Sequence, residues 1–153
     1  VSFSPADPGP GGADRIDFMF CPNPGEKEKS LREIASSGEI SRVMLALKTV
    51  LASADSVPVL IFDEIDVNIG GETAMIVGQE LRNLGGSHQV LCISHLPQVA
   101  ACAGTHYKVE KSVSKGRTFT EISELKDADR RSEIARMLGG GKAAEKHAKE
   151  MLA

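Results

Sequence analysis

The most informative residues of the sequence are two adjacent carboxylates, Asp63 and Glu64, which follow the apolar run Val59–Phe62. A run that is apolar at every position predicts a strand buried on both faces, as in a parallel sheet covered by helices. Ligands of such sheets bind at the carboxyl ends of the strands. One carboxylate there can hold a hydrated Mg²⁺, and the other can orient or deprotonate a water that attacks phosphorus. Strands also end in acidic residues where they reach solvent, and a phosphoacceptor aspartate is another interpretation, so the dipeptide alone does not decide.

A second candidate site is the tetrapeptide Ser36-Ser37-Gly38-Glu39, directly before a long amphipathic stretch. Ser36 and Glu39 have the spacing of a capping box, which is a purely structural role. A cap does not explain Gly38, because glycine weakens a helix by up to about 1 kcal/mol relative to alanine. A missing side chain lets a phosphate approach the backbone N–H groups of a helix N-terminus. The tetrapeptide is therefore interpreted both as a cap and as an anion site.

The third candidate is His95, which follows Ser94 after a second apolar run at residues 89–93. A lone histidine at a strand end usually has only a structural role. If its strand lies beside the Val59–Phe62 strand, however, the imidazole is near the same edge of the sheet as the carboxylates. There it can hydrogen-bond a phosphate oxygen or the attacking water.

The sequence contains no GxxxxGK[ST] phosphate loop. Lys142 follows three glycines at 139–141, but a predicted helix precedes them and Ala143 stands where such a loop needs a hydroxyl residue. We interpret this run as a helix C-cap and linker.

The elements that must position these residues alternate between strand and helix. Helical spacing of apolar residues predicts helices at 38–52 and 72–84, and Pro97 can open a third. This order, with polar residues at strand C-termini, predicts an α/β domain with its site at that edge. The apolar stripe of the first helix comprises Ile40, Val43, Met44, Leu47, Val50 and Leu51.

The two flanks of this α/β unit differ from it in pattern. Before it, a turn-rich loop at 5–12 precedes a predicted strand at 15–21 and a short helical stretch at 31–35. After it, we predict a hairpin of residues 106–112 and 117–125, then helices at 127–138 and 142–152. The opening resembles the continuation of a sheet begun elsewhere, so we expect a fragment of a larger domain.

Composition excludes several classes of protein. The chain has 153 residues, 41% of them hydrophobic and 25% charged, which are values of a single globular domain. A net charge of −3 means that the domain as a whole is not a basic nucleic-acid clamp, and no apolar run is long enough to cross a membrane. Three widely spaced cysteines form no disulfide framework, which favours a reducing, cytoplasmic setting.

Taken in chain order, these motifs resemble those of ABC-type ATPases. Residues 35–39 resemble the signature motif, 59–64 Walker B, Asp66 the D-loop and His95 the switch histidine. The stretches GADRIDFMFCPNPGE, SSGEISRVMLALK, FDEIDVNIGG and CISHLPQVAA are similar to the C-terminal half of the RecN family of DNA-repair ATPases, relatives of SMC proteins. The resemblance covers about residues 9–140, and the joined motifs are far more specific than any one alone.

The resemblance implies an α/β fold, the C-terminal lobe of an ABC-type P-loop NTPase head with a mostly parallel sheet, flanking helices and no Walker A. Residues 1–153 would form this half of the head, whereas Walker A, the Q-loop, the adenine-stacking aromatic and the coiled-coil arm would belong to an N-terminal part. We expect the protein's own N-terminal lobe, a second ATP-bound head and DNA double-strand ends as partners, ATP and Mg²⁺ as cofactors, and a bacterial, nucleoid-associated location without a membrane.

The same resemblance implies a role for each candidate residue. Asp63 would help to hold Mg²⁺, Glu64 would act on the hydrolytic water and His95 would contact the γ-phosphate. Across a homodimer, Ser36, Gly38 and Glu39 would meet the γ-phosphate of ATP on the opposite head, with Asp66 between the two sites. The family has Gly at the position of Ser37, which makes Ser37 doubtful as a ligand.

The function expected from these roles is ATP-dependent head dimerisation and hydrolysis in DNA double-strand-break repair and recombination, with the isolated chain inactive. Four alternatives stay open: another SMC or ABC ATPase half, a transporter subunit, an interaction module with a vestigial site, and a phosphoacceptor receiver domain. The last would leave Ser36, Gly38, Glu39 and His95 without a role.

Overall fold

The computed structural model describes residues 1–21, 25–33, 36–52, 54, 56–114 and 116–153. The predicted α/β class is confirmed. In chain order the elements are β1 (Ser2–Gly9), β2 (Gly12–Asp17), β3 (Met19–Phe20), β4 (Lys29–Ser30), a 3-10 helix (Leu31–Glu33), α1 (Ser37–Leu51), β5 (Val59–Phe62), α2 (Gly71–Leu84), β6 (Gln89–Cys92), α3 (Pro97–Cys102), β7 (His106–Ser114), β8 (Arg117–Leu125), α4 (Asp127–Met137) and α5 (Gly141–Met151).

The centre of the fold is a parallel pair, β5 and β6, connected through α2. Val59 pairs with Gln89 and Phe62 with Cys92, so both strands end at the same edge. The Ile93 N–H continues the ladder by donating to the Phe62 carbonyl at 2.9 Å. Parallel strands need such a crossover connection, and α2 provides it. The other strand pairs in the described ranges are antiparallel: β1 with β2, β3 with β4, and β7 with β8.

One face of the β5–β6 pair is covered by helices. Leu60 and Phe62 point into a core with Ile65, and α1, α2 and α3 add the remaining apolar side chains. From the helices, this core takes Leu45, Ala74, Val77, Leu81, Leu84 and Val99. Gly78 allows α2 and α3 to approach closely, since a Cβ there would lie 2.8 Å from the Cys102 Sγ.

The opposite face of the β5–β6 pair is bare, so the prediction that β5 is buried on both faces is wrong for this chain. Ile61 is 70% exposed and Ile93 62%, and Val59 and Leu91 are exposed beside them. No element in the described ranges packs on this side. We call these four residues the bare face.

The predicted apolar stripe of α1 is also largely exposed. Ile40, Met44 and Leu47 each show about two-fifths of their surface, and Val50 shows more. The helix instead buries Leu45 and Gly38 on a different side. The bounds of the helix agree with the prediction to within one residue. The periodicity therefore predicted the helix correctly but not the side of it that faces the core.

The flanking elements agree partly with expectation. Residues 2–9, predicted to be mostly a turn-rich loop, form β1 and pair with β2, with the register shifting between Pro5 and Gly9. Proline is tolerated in such an edge strand because only one side of it is hydrogen-bonded. The strand predicted at 15–21 is divided between β2 and β3. Of the helical stretch predicted at 31–35, residues 31–33 form a 3-10 helix, and 34–35 lie outside the described residues.

The C-terminal elements follow their prediction. β7 and β8 pair continuously from His106 with Leu125 to Ser114 with Arg117, although Lys115 of the predicted turn lies outside the described residues. α4 and α5 form a second small core with Ala101 of α3. Within the described ranges, no helix is long and apolar enough to cross a membrane.

Candidate functional site

The acidic residues after β5 lie in a short connection to α2, which we call the 63–67 segment. Its backbone is held by the first turns of α1. The Ser41 hydroxyl donates to the Asp63 carbonyl at 3.0 Å. Arg42 Nη1 donates to two further carbonyls, those of Ile65 at 3.2 Å and Val67 at 3.0 Å. The helix that carries the signature-like tetrapeptide is therefore tied directly to the segment that carries the carboxylates.

The tetrapeptide begins α1, as predicted. Ser36 is the N-cap, and its hydroxyl accepts the Glu39 N–H at 3.4 Å, which is one half of the predicted capping box. Gly38 is buried, and a Cβ there would lie 3.0 Å from both the Glu64 carbonyl and Arg42 Nη1. Close packing against the 63–67 segment thus explains this glycine without a bound anion. Its contact with a phosphate stays a prediction.

Glu64 is exposed, and its backbone adopts a left-handed conformation with φ of 57°. Its side chain accepts a hydrogen bond from the hydroxyl of Ser37. Ser37 is the residue that departs from the family glycine, so this departure places a hydroxyl on the carboxylate predicted to act on water. A glycine at position 37 would leave that carboxylate without this donor.

Asp66 is the most buried acidic residue of the 63–67 segment, at 2% exposure. Its Oδ2 accepts from the Ser94 hydroxyl at 2.6 Å, the His95 N–H at 2.8 Å and the Leu96 N–H at 3.2 Å. Burial by itself raises the pKa of Asp66, but the hydrogen bonds from Ser94 and from the backbone of His95, together with the nearby imidazole, hold that pKa below its ordinary value. A charged Asp66 therefore links the 63–67 segment to the connection between β6 and α3.

His95 stands on the other side of this link. Its Nδ1 is 3.1 Å from Asp66 Oδ2, whereas its side chain is 71% exposed. The contact with Asp66 orients the ring and leaves Nε2 as the nitrogen that can meet an external group.

Asp63 has the chemistry of a magnesium ligand. It is exposed, and its Oδ1 accepts the Glu64 N–H at 2.9 Å. Among the described residues, no group of three or more His, Cys, Asp or Glu side chains could hold a metal ion. Mg²⁺ is commonly held by one or two carboxylates together with substrate phosphates, so a single carboxylate here fits such an ion.

Cys92 lies at the end of β6 near these carboxylates. Burial, followed by the negative charges of Asp66 and Asp63, raises the pKa of its thiol to about 12. The thiol is therefore neutral at physiological pH, which makes it a poor nucleophile.

The structure thus brings residues of all four predicted motifs together at the 63–67 segment. Ser37 contacts Glu64, and Asp66 contacts Ser94 and His95. Sequence reasoning missed Ser41 and Arg42, which hold the segment from α1. A signal for Arg42 was present: it follows Gly38 by four residues, so the two share a helix face that otherwise packs inward.

Solved structures with the same architecture are heads of SMC ATPases. A chain from structural work on ATP-driven dimerization and DNA-stimulated activation of SMC ATPases superposes with a TM-score of 0.51 at 18% identity, covering 87% of this chain and 84% of that one. The Smc head domain of Pyrococcus yayanosii superposes with a TM-score of 0.60 at 18% identity, covering 82% of this chain and 23% of that one. The fold is therefore that of an SMC-type ATPase head.

Sequence comparison identifies the particular relative. The chain is 53% identical over 133 residues to DNA repair protein RecN of Xylella fastidiosa, covering 87% of this chain and 24% of that protein. It is 47% identical over 150 residues to RecN of Deinococcus radiodurans and 42% identical over 144 residues to RecN of Bacillus subtilis. No family model matches the sequence. The predicted resemblance to RecN is confirmed, and the chain spans about a quarter of the length of these relatives.

Proposed function

We propose that residues 1–153 are the C-terminal half of the ATPase head of a RecN-like DNA double-strand-break repair and recombination protein. The observation that carries this proposal is that the residues predicted to be the signature motif, Walker B, the D-loop and the switch histidine meet at the 63–67 segment. Hydrogen bonds from α1 and from the β6–α3 connection join all four motifs. The similarity to RecN and the SMC-type fold support the same assignment.

Glu64 is the residue that acts on the hydrolytic water, and Asp63 is the metal ligand beside it. Both are exposed at the C-terminal edge of a parallel strand, where ligands of such sheets bind. When bound, Mg²⁺ would neutralise charge on the phosphates of ATP. Glu64 can orient a water for in-line attack and accept its proton, provided that its carboxylate leaves the Ser37 hydroxyl.

His95 meets the γ-phosphate through Nε2, because Nδ1 faces Asp66. This divides the two ring nitrogens between a fixed internal partner and the substrate. Nε2 would donate to a phosphate oxygen, and the contact between Nδ1 and Asp66 supports the orientation of the ring.

The N-terminus of α1 serves the other head of a homodimer. Ser36 caps the helix by accepting the Glu39 N–H, and backbone N–H groups at this end of α1 can approach the γ-phosphate of ATP held by the opposite head. Asp66 lies between the two sites in this arrangement. Because Asp66 is buried within its own head, it also stabilises the conformation of the 63–67 segment in addition to lying near the dimer interface.

The N-terminal lobe, which supplies the phosphate loop, packs on the bare face of the β5–β6 pair. Parallel sheets are normally covered on both faces, and two strands alone are marginal. Relatives four times as long have ample chain for such a lobe. The assembled protein binds DNA double-strand ends and works in the bacterial cytoplasm on the nucleoid.

The test of this function is Glu64→Gln in the complete protein. The variant should bind ATP, lose hydrolysis by about 100-fold or more, and accumulate closed dimers, because an amide cannot accept the proton of water. ATP turnover and analytical ultracentrifugation measure these effects. Glu72→Gln, on exposed α2 surface, is the matched control.

The isolated 153-residue chain should show no ATP turnover, since it contains no phosphate loop. Hydrolysis by the purified chain that is lost in Glu64→Gln would overturn the half-head assignment. Normal turnover by Glu64→Gln in the complete protein would show that Glu64 is not the base, whereas an absence of turnover in the unsubstituted complete protein would favour a vestigial site in an interaction module.

A further inference from the structure

We propose that Arg42 is the positioning residue that holds Glu64 and Asp66 in their working geometry. The assignment rests on the proposed function, because that function gives the two carboxylates their roles. Arg42 itself contacts neither carboxylate: it acts through the backbone on either side of them.

The contacts of Arg42 are specific to the 63–67 segment. One guanidinium nitrogen, Nη1, donates to the carbonyls of both Ile65 and Val67. These carbonyls belong to the residues before and after Asp66, so one cation fixes the backbone of both neighbours of Asp66. Hydrogen bonds from a charged donor are stronger than those of neutral groups.

Glu64 depends on the same anchor. Its left-handed conformation is unfavourable for a residue with a side chain, and contacts of neighbouring residues must hold it. Ile65, the next residue, is fully buried and has its carbonyl bound by Arg42. The preceding residue, Asp63, has its carbonyl bound by Ser41. Glu64 is thus fixed from both sides by adjacent residues of α1.

Gly38 makes room for this arrangement. A Cβ at position 38 would approach Arg42 Nη1 and the Glu64 carbonyl to 3.0 Å and the Val67 Cβ to 3.2 Å. The glycine, the guanidinium and the segment therefore form one close-packed unit. Gly38 and Arg42 lie on α1, which begins with the signature-like tetrapeptide, so a change at that helix is transmitted to Glu64 through Arg42.

The experiment uses Arg42→Met and Arg42→Lys in the complete protein. Arg42→Met should lower kcat for ATP hydrolysis by about 10- to 100-fold, because misplaced catalytic groups cost that much, while KM for ATP changes by less than about threefold. Arg42→Lys should recover part of kcat, since it keeps one charged donor. Arg131→Met, an exposed arginine of α4, is the matched control and should leave both constants unchanged.

Amide hydrogen exchange without nucleotide gives a readout independent of hydrolysis. The Glu64 and Val67 N–H groups are bonded within the segment, to Asp63 Oδ1 and the Glu64 carbonyl, and should exchange about tenfold faster or more in Arg42→Met. Protection in α2 and β6 should not change. If Glu64→Gln hydrolyses ATP normally, the proposed function fails, whereas local exchange still tests the anchor. Unchanged exchange at 64–67, or an increase spread over all helices, would overturn the role of Arg42.

Discussion

The two faces of the β5–β6 pair are equally apolar in sequence but differ in what covers them. Leu60 and Phe62 pack against helices, whereas Ile61 and Leu91 are exposed on the bare face. Alternate residues of one short strand therefore have opposite environments, because successive side chains of a strand point to opposite sides. The comparison shows that apolar character predicts the strand itself but not which of its two faces is covered.

The largest difference between the faces should appear on truncation. Phe62→Ala should lower the free energy of unfolding of the 153-residue chain by about 3–5 kcal/mol, because it opens a cavity in the core. Ile61→Ala should cost about 1 kcal/mol or less. Denaturant titration of both variants measures the two values. Similar losses in both variants would show that the bare face is covered in solution. A larger loss for Ile61→Ala in the complete protein than in the 153-residue chain would show that another part of the complete protein covers this face.

A smaller effect concerns the edge of the sheet, where Asp66 links the 63–67 segment to the connection between β6 and α3. Its lowered pKa means that the charged carboxylate contributes stability above the ordinary value of 3.8, and this contribution is lost as pH falls through the lower value of the folded state. Asp66→Asn should cost about 1–3 kcal/mol at neutral pH, and its difference from the parent chain should shrink towards pH 2. Denaturant titration at several pH values tests this. A constant difference would mean that the charge of Asp66 is not the stabilising feature.

The smallest effect is one of reactivity rather than stability. Cys92 is on the covered side of the pair and has a thiol pKa of about 12, so only about one part in 10⁴ is thiolate at pH 8. Iodoacetamide should therefore modify the exposed Cys21 well before Cys92, as measured by mass spectrometry of peptides. Equal modification rates of the two cysteines in the native chain would contradict the raised thiol pKa of Cys92. Denaturant should remove the difference between the two rates.

Much of the α/β unit could be predicted from sequence. The bounds of β5 follow from four apolar residues that precede two acidic ones. The end of α2 follows from Gly85 and Gly86, which come directly after it. Both signals are local in sequence. The side of α1 that faces the core could not be predicted. Its stripe is well formed but exposed, and only the contacts of Leu45 and Gly38 with distant residues decide the orientation.

The candidate site was predictable in its acidic residues and histidine but not in its supports. Walker B-like and switch-like residues stand at strand ends, which sequence pattern locates. Arg42 and Ser41 bind backbone carbonyls more than twenty residues away, and carbonyls carry no sequence signature. The Ser37 hydroxyl likewise reaches Glu64 only after α1 has docked on the segment.

Because the backbone of Glu64 is left-handed, position 64 has two separate requirements: a residue that accepts this conformation and a side chain that carries a carboxylate. Residues that accept such angles readily, such as Asn or Gly, should keep the chain folded while removing the carboxylate. Valine and isoleucine should fail on both grounds, because their branched Cβ resists these angles. A saturation library at position 64 would then rank folded yield and ATP hydrolysis in two different orders.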